Sequence, residues 1–180
     1  MLHFTSLPEI VAPSGVFLLR SFERTDARAL IRNINSSHIA DRVSNVPYPY
    51  TESDALRWFT ILERAQASGY KERIDFAIDV NGKLVGSVAF IRIEGHKAQV
   101  SFWLGEEYHR CGLMTEAVKL LVRFGQTECG FVRMWAYTYG NNHASQGVLR
   151  KAGFTLEGIH RKEWEKNGVF HDSWVHAIVM

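Results

Sequence analysis

His109-Arg110-Cys111-Gly112-Leu113-Met114-Thr115-Glu116-Ala117 stands between a strand-like run at residues 98–104 and a helix-like run at residues 115–128. A short loop that closes a strand and opens a helix aims several unpaired backbone N–H groups at one point, at the positive end of the helix dipole. Gly112 lets the backbone approach a ligand with no Cβ in between. The stretch therefore reads as an anion site, and its surroundings decide which anion.

Upstream, Ile74, Phe76, Ile78 and Val80 alternate with Asp75, Ala77 and Asp79, the pattern of a half-buried strand. Asn81-Gly82 predicts a tight hairpin into a return strand at residues 83–93. Glu94-Gly95-His96 turns the chain again into residues 97–104, so three antiparallel strands lead up to the loop. Downstream, Ala117, Val118, Leu120, Leu121 and Phe124 recur at helical spacing. Residues 132–137 read as a strand that can lie parallel to the one before the helix, closing a right-handed crossover. A helix at residues 142–152, stopped by Gly153, and a strand pair at residues 154–159 and 169–179, hinged near Asn167-Gly168, end the chain.

The amino-terminal side is read outward from the same frame. Residues 1–15, with Pro8, Pro13 and Gly15, form an irregular lead-in, and residues 16–22 a short apolar strand. Thr25 is the expected N-cap of a helix carrying Ala27, Leu30, Ile31 and Ile34, which fades near residues 38–41. Val46-Pro47-Tyr48-Pro49-Tyr50 is an extended aromatic loop, because each proline pushes its predecessor out of the α region. Thr51-Glu52-Ser53-Asp54 has the form of a capping box, and Ala55, Trp58, Phe59 and Leu62 line one face of the helix that follows, ended by Gly69. The order is β-α-α-β-β-β-α-β-α-β-β, an α/β fold in one domain over residues 16–180 with a mixed, mostly antiparallel sheet flanked by helices.

Composition narrows the function. The chain of 180 residues is 46% hydrophobic and 22% charged, enough for a packed core. A net charge of +2 and the lack of a basic stripe argue against nucleic acid. Cys111 and Cys129 form neither a disulfide framework nor a zinc motif, which suits a cytoplasmic protein, and no metal site is expected. Residues 1–10 do not read as a signal peptide, and no run is long enough to span a membrane. The loop also lacks the spacing of the nucleotide motifs GxxxxGK[ST] and GxGxxG.

The element order and two motifs resemble the GNAT superfamily of acetyl-CoA-dependent N-acetyltransferases. The family's pyrophosphate loop, Gln/Arg-x-x-Gly-x-Gly/Ala, falls on residues 109–114 with Gly112 as its central glycine. The second motif is Asn142-His143-Ala144-Ser145 with Val148-Leu149-Arg150-Lys151-Ala152-Gly153-Phe154 and Glu157-Gly158. Asn-x-x-Ser, Lys-Ala-Gly-Phe and the Pro-Tyr-Thr at residues 49–51 are similar to the RimJ/RimL-type branch, which acetylates N-terminal amines of ribosomal proteins. The chain departs from the pattern at His109, Arg110, Cys111 and Met114. A loop that binds through backbone N–H groups tolerates such changes.

The resemblance implies acetyl-CoA as cosubstrate, bound by residues 109–115 (His109, Arg110, Cys111, Gly112, Leu113, Met114, Thr115), by the backbone of Phe102, Trp103 and Leu104, and by Asn142 and Ser145. It implies direct attack of a neutral amine in a ternary complex, with Ser145 as the acid that helps the leaving thiolate. Leu149 stands where other branches carry a tyrosine acid, and Gln99 where many members carry a glutamate base. Glu107 is the expected base here, with Glu106, His109, Glu163 or a water chain as alternatives. Tyr48, Tyr50, Trp58 and Trp164 are expected on the acceptor side. The acceptor expected is a protein N-terminal amine, as the RimJ/RimL-type resemblance implies; a small amine such as an antibiotic or polyamine, a non-catalytic acyl-CoA-binding module, and a homodimer remain open.

Overall fold

Asn81 and Gly82 both take left-handed backbone conformations, φ 54° and 76°, as a tight turn between twisted strands demands. Around that hairpin the computed structural model, which describes residues 4–43 and 46–180, builds an eight-stranded sheet. The strands are β1 (Ile10–Val11), β2 (Leu18–Arg20), β3 (Ile74–Val80), β4 (Lys83–Glu94), β5 (Lys97–Leu104), β6 (Arg133–Tyr139), β7 (Thr155–Lys166) and β8 (Val169–Val179). Their order in space is β1-β2-β3-β4-β5-β6-β8-β7, and every neighbouring pair is antiparallel except β5 and β6. The helices are α1 (Ala27–Ile34), α2 (Ser37–Ala40), α3 (Glu52–Ala67), α4 (Leu113–Thr127) and α5 (His143–Lys151).

Strand alternation divides the core in two. On one face Phe76, Val88, Phe90, Val100 and Met134 pack against α4 and against Leu149 of α5. On the other, Ala77, Leu84 and Trp103 pack against Leu30, Ile34, Phe59 and Tyr50 of the α1–α3 region. The expected capping box starts α3: the Thr51 hydroxyl accepts from the Asp54 N–H, and Asp54 accepts from the Thr51 N–H.

Four details differ from the sequence-based expectations. The lead-in is not wholly irregular, because β1 pairs with β2 across the turn that holds Pro13 and Gly15. Its Leu7 and Ala12 are buried. Thr25 does not cap α1: residues Arg24–Asp26 form a 3-10 turn, and Asp26 is drawn inward to Arg20. β3 is buried on both faces rather than one, since Arg73 and Arg20 pair with Asp75 and Asp79 at 2.6 and 2.7 Å. β7 runs well beyond residue 159; residues 160–163 and 165 are polar or charged and exposed, as an edge strand allows.

Candidate active site

β5 and β6 pair in register only at Lys97↔Arg133, Ala98↔Met134 and Gln99↔Trp135. Beyond that last rung both strands continue but separate. Phe102, Trp103 and Leu104 keep their partners Val88, Ser87 and Gly86 on β4. Toward β6 their backbone edge faces a cleft. Gly86 lets β4 hold this end of β5 closely: a Cβ there would lie 2.6 Å from the Trp103 carbonyl and 2.8 Å from Leu104 Cδ1. A glycine inside a strand is the signal that could have marked it from sequence.

The loop after β5 folds back on it. Residues Glu106–Tyr108 form a 3-10 turn, and His109 Nε2 lies 2.9 Å from the Leu104 carbonyl. Cys111 Sγ donates to the Tyr108 carbonyl at 2.9 Å. Gly112 sits at φ 82°, and a Cβ built on it meets nothing within 4 Å, so the space over the loop is open. The first intrahelical bond of α4 runs from the Glu116 N–H to the Gly112 carbonyl, leaving the N–H groups of Leu113, Met114 and Thr115 outside the helix ladder. α4 thus begins two residues earlier than the periodicity predicts, and Leu113 and Met114 turn their side chains into the core, each 6% exposed. That inward turn is why a bulky residue at position 114 does not fill the loop. An open left-handed glycine, three free donors and an unpaired strand edge fit a diphosphate with an extended arm.

α5 begins at the end of β6. The Asn142 amide oxygen accepts from the Ser145 N–H at 3.2 Å, so this buried asparagine is an N-cap first. Ser145 is half-buried one turn along. Leu149 is fully buried in the core.

On the opposite face Tyr137 stands 6.1 Å from the His160 ring and 6.3 Å from Trp164, and Tyr139 lies 5.3 Å from His171. Burial is the main cause that raises the Tyr139 phenol above its ordinary value, with Asp41 adding to it. Trp164 is thus brought to the β6 side of the cleft, with Tyr137, Tyr139 and His160 that sequence reasoning did not single out. Tyr50 and Trp58 are not brought there. Tyr50 is 7% exposed, its hydroxyl pushed up to about 12, chiefly by burial. Trp58 packs against Phe22 and beneath the Arg73 guanidinium, 4.6 Å away. Tyr48 is exposed.

The carboxylates near the loop are engaged. Glu107 forms an ion pair with Arg32 at 3.2 Å, and its side chain is 66% exposed. Glu106 accepts from the Ser36 hydroxyl and stands 3.9 Å from His38. Glu163 lies 4.0 Å from His160. Gln99 Oε1 is buried with no hydrogen-bond partner among the described residues. No cluster of metal-ligating side chains occurs among the described residues, and no helix there is long and apolar enough to cross a membrane.

Residues 17–155 match the family described as Acetyltransferase (GNAT) domain. The chain belongs to the GNAT acetyltransferases. Probable N-acetyltransferase YjcK of Bacillus subtilis is 34% identical over 128 residues, 65% of this chain and 71% of YjcK. The spermidine N(1)-acetyltransferase of Escherichia coli K12 is 25% identical over 157 residues, 86% of this chain and 81% of that protein. The structure of RimL, the alpha-N-protein acetyltransferase of ribosomal L7/L12, in complex with coenzyme A superposes with a TM-score of 0.87 at 22% identity. That superposition covers 96% of this chain and 98% of RimL. This GNAT enzyme is an N-acetyltransferase, and acetyl-CoA is its cosubstrate.

Proposed function

We propose that this GNAT enzyme acetylates a protein N-terminal amine, in the cytoplasm. The observation that supports the reading is the β6 side of the cleft: an open wall of sheet on which Tyr137, His160 and Trp164 meet. Polyamine recognition calls for free anions, and of the carboxylates beside the loop Glu107 is paired with Arg32 and Glu106 is held by the Ser36 hydroxyl. The likeness in fold to RimL, and RimL's action on a ribosomal protein, support the same acceptor. A small cationic acceptor is the second reading, favoured by the similarity to the spermidine enzyme.

Acetyl-CoA supplies an activated acetyl thioester, and the residues have correspondingly simple tasks. The N–H groups of Leu113, Met114 and Thr115 hold the diphosphate. The free edge of Phe102, Trp103 and Leu104 aligns the extended arm, and an N–H from it polarises the acetyl carbonyl. Asn142 fixes the start of α5, and Ser145 gives a hydrogen bond to the leaving sulfur. Glu107, exposed and shared with Arg32, receives the amine proton through water, so Glu107→Gln lowers turnover by less than about tenfold, well short of the loss expected for a base in direct contact. The deciding experiment offers spermidine and a peptide beginning with Ser or Ala side by side and locates the acetyl group by mass spectrometry. Acetyl on the peptide α-amine supports the proposal; acetyl on spermidine alone replaces it with the second reading.

A further inference from the structure

The sheet face that bears Trp103 is covered over β3–β5 by the α1–α3 region, but farther across it an open trough of about 420 Å³ runs along β6. Every residue that lines the trough belongs to a strand. Trp135, Tyr137 and Val175 form its floor. Its near end is Tyr137 beside His160, at the point where β5 and β6 have just separated. Its far end is closed by the Arg133–Glu157 ion pair, 2.5 Å.

We infer that this trough receives the first residues of the acceptor polypeptide behind its reacting amine. The inference rests on the protein-N-terminus reading above and deepens it. Three features select an extended peptide. The trough is continuous with the cleft, since Trp135 is the β6 member of the last rung and Tyr137 lies two residues beyond it. Its length fits: Tyr137 and Arg133 are four strand residues apart, about 13 Å at roughly 3.3 Å per residue, room for about four extended residues. Its chemistry fits a neutral segment, because the charged groups at its margin are already satisfied. Arg133 holds Glu157, and Lys97 holds Glu94 at 3.0 Å while lying 5.7 Å above the Trp135 ring.

Gly158 supplies the test. It lines the trough on β7 opposite Val175, its backbone lies outside the left-handed region, and a Cβ on it meets nothing within 4 Å. A side chain there is tolerated by the strand and fills the trough. Amidated peptides of one, two, four and eight residues with a common N-terminus are assayed with wild type, Gly158→Ala and Gly158→Leu. In wild type, kcat/KM rises with length by roughly tenfold, the equivalent of about 1.4 kcal/mol of added binding, and levels off near four residues. Gly158→Ala keeps part of the gain and Gly158→Leu loses it, while acetyl-CoA still raises the melting temperature of both. A length gain that survives in Gly158→Leu, or rates that do not depend on length in wild type, overturns the trough alone. Wild type that acetylates no peptide of any length overturns the acceptor reading and the trough with it. A Gly158→Leu chain that keeps the length gain but changes its mass in light scattering assigns this face to a second copy of the chain, which also overturns the inference.

Discussion

Gln99 and Trp135 form the last rung between β5 and β6, and past it the two parallel strands part while each keeps its outer neighbour. The site of this GNAT enzyme follows from that separation. One strand edge is left unpaired, the helix start of α4 lies beyond the end of β5, and the aromatic cluster of Tyr137, His160 and Trp164 stands beside β6.

Ser145→Ala is expected to lower kcat at least about tenfold while the KM for acetyl-CoA changes little, because a hydrogen bond to the leaving sulfur matters most in the transition state. The α5 cap survives, since the contact to Asn142 uses the Ser145 backbone N–H. Steady-state kinetics with a saturating amine checks this, and unchanged kcat removes Ser145 from the chemistry.

Arg20 joins three elements. Its guanidinium pairs with Asp26 at 2.8 Å and Asp79 at 2.7 Å and donates to the Ser21 carbonyl at 3.0 Å. Both carboxylates are buried. Arg20→Met strands two charges and is expected to cost about 3–5 kcal/mol, on the order of 10 °C in the melting midpoint. A urea or thermal melt reads the loss; a shift of under about 2 °C would show that water takes the place of the guanidinium.

His176 is 5% exposed, and its Nδ1 has no partner among the described residues. Burial is the main cause that holds its imidazole below the ordinary value of 6.5, against a smaller opposing effect from the Trp174 backbone. The unfolded chain takes up this proton before the folded one does, so the stability it contributes is present above 6.5 and is lost as pH falls through the lower folded value. Asp75, raised by burial, acts with the opposite sign. Glu157, lowered by Arg133, acts only below 4.5. The melting temperature of His176→Gln should therefore fall less than that of wild type between about pH 7 and pH 5, the stretch in which a depressed histidine titrates. Parallel slopes would remove His176 from the acid response.

The helices and hairpins were legible where local chemistry dictates them. Asn81-Gly82 demands left-handed backbone, Thr51 and Asp54 cap each other, and Gly112 opens α4. The pairing of β5 with β6 and the helix between them were legible from spacing. Long-range charge was not. Asp79 looks like the wet face of a strand until Arg20 arrives from far along the chain, and Asp26 looks like helix-start chemistry until the same Arg20 claims it. The aromatic cluster beside β6 was the least legible. Tyr137, His160 and Trp164 meet only because β8 lies between β6 and β7, a register that no local pattern announces. Tyr50 and Trp58 drew notice as aromatic residues in or beside a proline-rich loop, yet that composition serves packing under α3 equally well.

The most direct test of the account is calorimetric titration of acetyl-CoA into wild type and Gly112→Glu. The substitution sets a carboxylate in the open space over the loop, at a left-handed residue whose strain costs about 1–2 kcal/mol, which a folded domain of this size survives. Wild type is predicted to bind one acetyl-CoA per chain, and Gly112→Glu to melt cooperatively yet bind none. Equal affinity in a folded Gly112→Glu chain would contradict the account, because the cosubstrate's diphosphate would then lie elsewhere than at the start of α4.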